Sequence, residues 1–349
     1  MPALAIAAAL RDRGAEVEFA GGERAEAELV PAAGYPFHPL DVAGLDRRNP
    51  LRAARAAGLA ARAVVRARKL IAEGRFDAVM GGGGYVAGPV GLAALTRRVP
   101  LALTEADSHL GIANRALAPF ARAVFLAFPL QGRDGARYEV TGRPIPPGTG
   151  AADRAAARRR FAIPEGARCL LVFGGSLGAR RLNEAALEAF GRQPAGVPPL
   201  HVLHACGRRD YDALRARLDE LGTPPHYRLE AYIEPFADAY AAADLACARA
   251  GGSVFELGAA GLPAILVPYP HATADHQAGN ARWLEEAGAA VVVPDEELDA
   301  ARLASETAAL LEEPGRLDEM GAAARALSRP DAAERIADGI LDLARNPKA

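Results

Sequence analysis

Residues 248–263 read Ala248-Arg249-Ala250-Gly251-Gly252-Ser253-Val254-Phe255-Glu256-Leu257-Gly258-Ala259-Ala260-Gly261-Leu262-Pro263, a small-residue turn set between a short apolar run and a helical pattern. Backbone N–H groups in the first turn of a helix lack intrahelical partners, so the turn at Gly251, Gly252 and Ser253 can receive an anion. Glu256 follows about one helical turn later, where its carboxylate can face a ribose diol rather than a phosphate. Further on, Pro268-Tyr269-Pro270-His271 leads into Asp275-His276-Gln277-Ala278-Gly279-Asn280-Ala281. His276, Gln277 and Asn280 recur there at i, i+1 and i+4, a spacing suited to hydrogen-bonding sugar hydroxyls. The ordered set reads as a nucleotide-sugar pocket.

Outward from this stretch, short apolar runs alternate with longer Ala-rich helical segments, the pattern of a parallel sheet covered by helices on both faces. Strands are expected over 17–19, 78–80, 101–104, 123–125, 169–173, 201–205, 245–247, 264–267 and 290–293. They fall into two groups separated by Gly142-Arg143-Pro144-Ile145-Pro146-Pro147-Gly148-Thr149-Gly150 and the charged stretch 153–160, the best linker candidate. A chain of 349 residues exceeds the usual single-domain size. The fold class is therefore α/β with two Rossmann-like domains: an N-terminal domain over 1–142, a linker over 143–165 and a C-terminal domain over 166–349. A ligand is expected in the crevice at the carboxyl ends of the strands, between the domains.

Composition narrows the partners. Half the residues are apolar and 24% are charged, as in ordinary globular proteins. A formal net charge of -2 gives no global attraction to nucleic acid, and none is expected as a partner. Cys169, Cys206 and Cys247 lie far apart in apolar, strand-like surroundings, reading as buried thiols rather than a disulfide framework or a zinc site. No run of 18 uninterrupted apolar residues and no basic-then-apolar leader occurs, so a cytosolic or peripheral protein is expected.

Two further glycine turns follow strands. Phe173-Gly174-Gly175-Ser176-Leu177-Gly178-Ala179-Arg180 can place N–H groups against a diphosphate, or it can be a plain tight turn. It lacks both the Walker A spacing and the full dinucleotide fingerprint. Gly81-Gly82-Gly83-Gly84-Tyr85-Val86-Ala87-Gly88-Pro89 contains four consecutive glycines, whose entropy cost on folding fits close backbone approach, with a flexible loop as the alternative.

Taken in order, Gly83 to Pro89, Gly174 to Ala179, Tyr232-Ile233, Arg249 to Glu256, Ala260 to Pro263 and His276-Gln277 resemble the MurG family of GT-B glycosyltransferases, over nearly the whole chain. The resemblance implies inverting transfer of N-acetylglucosamine from UDP-N-acetylglucosamine to the 4-hydroxyl of lipid I, an undecaprenyl-diphosphate-linked muramyl peptide, forming lipid II for peptidoglycan synthesis. It implies no required metal or other cofactor, a peripheral position on the cytoplasmic face of the plasma membrane, and a last helix, over about 331–345, packed back on the N-terminal domain. By the same resemblance Ser176 contacts the diphosphate and Ile233 the uracil. The turn Gly251-Gly252-Ser253-Val254-Phe255-Glu256 holds phosphate and ribose, with Glu256 on the ribose hydroxyls. Gln277, with His276, reads the sugar hydroxyls, and Gly83, Gly84 and Tyr85 form the acceptor-side loop.

The chain also departs from the family pattern. It starts at Met1-Pro2-Ala3-Leu4 inside the family's first helix, so the family's first strand and its glycine loop ending in a candidate base His are expected to be missing, leaving a gap in the sheet. Asp107 stands for a sugar-contacting Asn. The hinge Arg is absent at Pro146, with Arg143 the shifted candidate. Glu105 and Asp107 are then the catalytic candidates, set against a role in orienting backbone or substrate. Another acceptor, a UDP-N-acetylglucosamine epimerase and a truncated inactive form remain alternatives.

For an anionic membrane surface, Asn49-Pro50 is a good helix start, and Arg52, Arg55, Arg62, Arg66 and Lys69 follow on one helical face with no acid between Arg47 and Ala72. A solvated basic face is the alternative. Asp210-Tyr211-Asp212, the one D-x-D pattern, reads as a helix cap or first-turn pair rather than a cation site. Trp283 reads as core.

Overall fold

The computed structural model describes residues 2–23, 25–43, 50–175, 179–192, 200–272 and 275–346. Asn49, the expected helix cap, and Ser176, the expected diphosphate contact, lie outside the described residues, as does the side chain of Arg52. The chain forms two compact units, Met1–Ile145 with Arg329–Ala349, and Pro146–Ser328.

The first unit runs α1 (Pro2–Asp12), β1 (Phe19–Gly21), α2 (Glu26–Ala32), β2 (Phe37–Pro39), α3 (Pro50–Gly74), β3 (Val79–Gly81), α4 (Gly84–Arg97), β4 (Leu101–Glu105), α5 (Ile112–Leu117), β5 (Ala123–Leu126) and β6 (Tyr138–Val140). β1 pairs in parallel with β2. β3-β4-β5-β6 form a separate parallel sheet, and no strand pairing joins the two among the described residues.

In the second unit α6 (Arg154–Arg160), β7 (Arg168–Phe173), α7 (Arg180–Phe190), β8 (Leu200–Ala205), α8 (Tyr211–Glu220), β9 (Tyr227–Glu230), α9 (Phe236–Ala242), β10 (Leu245–Ala248), α10 (Ser253–Ala260), β11 (Ala264–Leu266), α11 (His276–Glu286), β12 (Ala290–Val292), α12 (Ala300–Glu312) and α13 (Arg316–Leu327) build a six-stranded parallel sheet of order β12-β11-β10-β7-β8-β9. Its central strands are continuous apolar runs because both faces are covered: Leu170, Leu171, Val172, Leu245, Cys247 and Ile265 are all fully buried. The strand order reverses between β7 and β10, with Leu170 beside Leu245 and Phe173 beside Ala248. A doubly wound sheet opens its ligand crevice at that switch point, and here two glycine turns emerge there, one after each strand.

The last helix, α14 (Ala332–Arg345), belongs to the first unit. It packs on α1, with Arg13 paired to Asp338 at 2.6 Å and Arg335 to Glu139 at 2.6 Å. Gly339 passes so close to the Phe125 ring that a Cβ there would sit 2.5 Å from it.

Three strands depart from the expected set. β2, β6 and β9 are the outer strands of their sheets, reading Phe-His-Pro, Tyr-Glu-Val and Tyr-Arg-Leu-Glu. Half-exposed edges carry polar residues and tolerate Pro39, so a search for continuous apolar runs passes over them. β1 begins at Phe19 rather than at 17. The basic stretch expected as linker holds α6, capped by Asp153, which accepts from the Ala155 N–H at 2.9 Å. Arg154, Arg158 and Arg168 converge on Asp244 at the start of β10, which ties α6 into the second unit.

Candidate active site

At the switch point of the second unit, the turn Gly251 to Ser253 opens α10. Asn280, expected as a sugar contact, is instead only 1% exposed and donates its amide to the Ala250 carbonyl at 3.0 Å. It braces the turn from below. Gln277, one helical turn earlier on the same face, lies above it: a Cβ on Gly251 would come within 3.9 Å of the Gln277 Nε2. The Gln277 Oε1 accepts from the Tyr269 N–H at 2.9 Å, so the amide orientation is fixed by the loop after β11. That loop is anchored by Arg249, which donates to the carbonyls of Val267 and Pro268 at 3.1 and 3.3 Å and pairs with Asp295 at 2.6 Å. The sequence reading quoted Arg249 but gave it no role; its signal is a charged residue directly after a fully apolar strand.

Val254 and Phe255 follow the turn on α10. Both side chains are buried, and their N–H groups donate to the carbonyls of Gly251 and Gly252 at 3.3 Å. The Phe255 ring lies beside Trp283, centroids 5.3 Å apart, and Trp283 is only partly buried. Glu256 sits on the first turn of α10 and accepts from the Tyr240 hydroxyl at 3.1 Å. Burial first, and then the charge and hydrogen bond of Glu256, raise the Tyr240 phenol well above its ordinary value, so it remains a donor. Tyr240 itself was not anticipated, because its place depends on α9 packing beside α10.

Beside β7, Gly174 is irreplaceable on steric grounds: a Cβ would lie 2.4 Å from that of Ala179 and 2.7 Å from its nitrogen. Gly175 adopts φ +91°, the left-handed region that glycine tolerates. Ile233 is 3% exposed, so its side chain is core and only its backbone is available to a base, while Tyr232 next to it is exposed under the Arg208 guanidinium. His276 is half-buried at the start of α11.

Asp210 stands at the N-cap position of α8 and Asp212 in its first turn. The Asp210 side chain makes no cap bond; the buried carboxylate accepts from the Asn183 amide at 3.0 Å and from Arg209 at 3.0 and 3.3 Å. Among the described residues, no group of three or more His, Cys, Asp or Glu side chains is placed to hold a metal ion. A cavity of about 410 Å³ beside Arg154, Arg168 and Arg325 opens at the amino ends of β7, β10 and β11, away from the glycine turns.

In the first unit, Glu105 ends β4 at 8% exposure and its carboxylate accepts four donors: the N–H groups of Ala106, Asp107 and Gly111 at 3.1, 3.3 and 2.8 Å, and the Asn114 amide at 3.0 Å. That set shapes the 105–111 loop. Arg143 reaches the same loop and donates to the Ala106 carbonyl at 3.3 Å. The turn Gly82 to Gly84 borders it, since a Cβ on Gly83 would come within 3.8 Å of the Asn114 amide. Gly83 and Gly84 take φ +81° and +71°, and Tyr85 is exposed. The structure thus gathers Gly83, Glu105, Asp107 and Arg143 at one end of β3 and β4. Pro146 belongs to the second unit.

Two family models match: the glycosyltransferase family 28 N-terminal domain over residues 1–126 and the glycosyltransferase family 28 C-terminal domain over 169–336. The UDP-N-acetylglucosamine--N-acetylmuramyl-(pentapeptide) pyrophosphoryl-undecaprenol N-acetylglucosamine transferase of Methylococcus capsulatus is 41% identical over 343 residues, covering 98% of this chain and 94% of that protein. That of Salinibacter ruber is 42% identical, covering 98% and 93%. The chain belongs to the MurG branch of glycosyltransferase family 28. The crystal structure of Acinetobacter baumannii MurG superposes with a TM-score of 0.78 at 30% identity, covering 98% of this chain and 95% of that one. The fold is GT-B, two Rossmann-like domains. A kitacinnamycin glycosyltransferase, at 18% identity and a TM-score of 0.70, shares the fold alone. For a MurG-type chain, the Gly251 turn, Glu256 and Gln277 stand at the place in the second unit where a doubly wound sheet takes a nucleotide.

Proposed function

We infer that this chain transfers N-acetylglucosamine from UDP-N-acetylglucosamine to lipid I, forming lipid II. The observation that carries the donor half is the pair of glycine turns at the β7/β10 switch point, with Gln277 beside one of them and Glu256 on the first turn of the helix it opens. The acceptor half rests on the MurG-type relationship. The acceptor 4-hydroxyl attacks the anomeric carbon from the face opposite UDP; the new C–O bond forms as the bond to the diphosphate oxygen breaks, and an α-linked donor gives a β-linked product. Charge developing on UDP is met by the N–H groups of Gly251 to Ser253 and of Gly174 and Gly175, donors that need no reorganisation during reaction. Glu256 holds the ribose diol, and Gln277 with His276 reads the sugar. Glu105, committed to its four donors, positions the 105–111 loop, and Asp107 on that loop faces substrate. Gly83, Gly84 and Tyr85 form the acceptor-side loop.

The enzyme works as a peripheral protein on the anionic cytoplasmic leaflet. Supporting this, Arg55, Arg62, Arg66 and Lys69 are exposed along α3, and Val65 beside them is 68% exposed. Among the described residues, no helix is long and apolar enough to cross a membrane.

The deciding experiment is transfer of radiolabelled sugar from UDP-N-acetylglucosamine to a short-chain lipid I analogue in the presence of EDTA. A β-linked disaccharide product is expected. Turnover of another acceptor but not lipid I, with donor binding intact, overturns the acceptor; release of epimerised sugar without any acceptor overturns the transferase reading itself.

A further inference from the structure

A buried chain of hydrogen bonds crosses the second unit just behind the Gly174 turn. The His204 Nδ1 lies 2.8 Å from the Tyr227 hydroxyl and its Nε2 lies 3.0 Å from the Asn183 Oδ1. The Asn183 amide nitrogen donates to the Cys206 carbonyl at 2.9 Å and to the Asp210 Oδ2 at 3.0 Å. Because the Asn183 Oδ1 can only accept, the His204 Nε2 must carry the proton, and its Nδ1 then accepts from Tyr227. Every donor thus points the same way, toward a carboxylate. Burial pushes the His204 pKa down to about 3, so the ring is neutral and this tautomer is fixed at neutral pH.

The relay ends at the surface. Asp210 accepts from Arg209 at 3.0 and 3.3 Å and stands 3.9 Å from the Arg180 guanidinium. Arg180 opens α7 immediately after the glycine turn of β7 and is 71% exposed at its side chain. Arg209 lies between β8 and α8, and Asp210 holds it cationic above its ordinary value, chiefly through the hydrogen bond and then through charge, with Tyr269 on the far side of the switch point adding to the effect. With Arg208 next to them, three guanidinium groups and one carboxylate line this end of the sheet. A carboxylate that only neutralised surface arginines would not need three buried residues to hold it. Burying Tyr227, His204 and Asn183 fully satisfied gives a rigid support instead.

We propose that Asp210 is a positioning residue which, held by the Tyr227–His204–Asn183 relay, fixes Arg180 and Arg209 as a cationic rim beside Gly174 and Gly175 at the end of β7, where they bind a substrate diphosphate. This rests on the donor-site reading above. Guanidinium groups fixed in a fork suit two adjacent phosphate groups better than mobile ones do. Both substrates of the reaction carry that chemistry, UDP on the donor and the lipid-linked diphosphate on the acceptor.

The test is calorimetric binding of UDP and of uridine, with steady-state kinetics against each substrate, for Arg180→Ala, Arg209→Ala, Arg180→Lys and Asp210→Asn. The arginines are exposed, so their variants fold, and thermal melts will verify this for all four. If the rim holds UDP, each alanine variant weakens UDP roughly tenfold while uridine binding is unchanged, and Arg180→Lys restores part of the loss. If it holds the lipid diphosphate, UDP affinity stays and the KM for the lipid I analogue rises by a similar factor. Asp210→Asn weakens the same substrate, although it removes a negative charge. Unchanged UDP affinity and unchanged lipid KM in the Arg180→Ala/Arg209→Ala double variant overturn the proposal and leave the donor site standing, as does tighter diphosphate binding by Asp210→Asn. Failure of the unaltered chain to bind UDP overturns both.

Discussion

The Tyr240 hydroxyl donates to the Glu256 Oε2 at 3.1 Å and so couples the second turn of α9 to the first turn of α10. The bond holds one oxygen of the carboxylate that we propose meets the ribose diol. Tyr240→Phe removes that donor without altering the ring packing against Phe173 and Phe236. We expect UDP affinity to fall roughly threefold to tenfold with little change in Tm. Glu256→Gln, which removes the charge itself, weakens UDP by about tenfold to a hundredfold. Equal effects on UDP and on inorganic diphosphate would show that neither residue serves the ribose.

Glu105 separates a structural from a proton-transfer role. Glu105→Gln keeps the shape but turns one acceptor oxygen into a donor facing N–H groups, which costs about 1–3 kcal/mol of stability. As a positioning residue it lowers kcat through loop placement and leaves the acid limb of the pH–rate profile where it was. Loss of that limb, with a drop of about 10²–10⁴ in kcat, would instead make Glu105 the base.

Arg249 and Asp295 form a partly buried pair beneath the sugar-reading loop. Removing one partner leaves a charge with little water around it, a cost of about 3–5 kcal/mol for a buried pair. Arg249→Met and Asp295→Leu are each expected to lower Tm and raise the KM for UDP-N-acetylglucosamine, because the loop carrying Tyr269, whose N–H orients the Gln277 side chain, loses its Arg249 anchor. The double variant should be more stable than either single one. Additive losses in a double-mutant cycle would argue that Arg249 acts only through its bonds to the Val267 and Pro268 carbonyls.

How much of this was legible depended on the range of the interactions. The central strands β7, β10 and β11 announce themselves as continuous apolar runs, since burial on both faces leaves no room for alternation. The glycine turns are equally plain, because Gly174 and Gly175 are required by local backbone geometry. Edge strands β6 and β9 were not seen, since their alternation looks like loop. The role of Asn280 was misread for a related reason: helical spacing tells which residues share a face, but not whether that face meets ligand or core. Tyr240, Asn183 and the Asp210 carboxylate were invisible as site elements because their partners lie 16, 21 and 27 residues away on other elements.

The membrane reading depends on α3. Near an anionic leaflet each basic side chain contributes about 1 kcal/mol. Arg62→Ala/Arg66→Ala should therefore weaken partitioning to phosphatidylglycerol-containing vesicles roughly thirtyfold at low salt, with activity on a soluble acceptor analogue retained. Binding of the unaltered chain that does not depend on anionic lipid would remove electrostatics from the account.

His204 gives a stability prediction with a definite sign. Its ordinary pKa is 6.5 and burial lowers it to about 3 in the folded chain. Above pH 6.5 the ring is neutral whether folded or unfolded, so the site carries no proton-linked penalty. Between 6.5 and 3 the unfolded chain takes up a proton that the folded chain refuses, and stability falls with decreasing pH at about 1.4 kcal/mol per unit from this one group. Below 3 both states bind it and the slope from His204 ends. His204→Gln keeps one donor and one acceptor between Tyr227 and Asn183 but cannot titrate. Its denaturant-unfolding free energy should therefore lose less between pH 6.5 and pH 4 than that of the unaltered chain, even though it starts lower at pH 7.5. Parallel curves for the two proteins would mean that the ring is hydrated and the relay open.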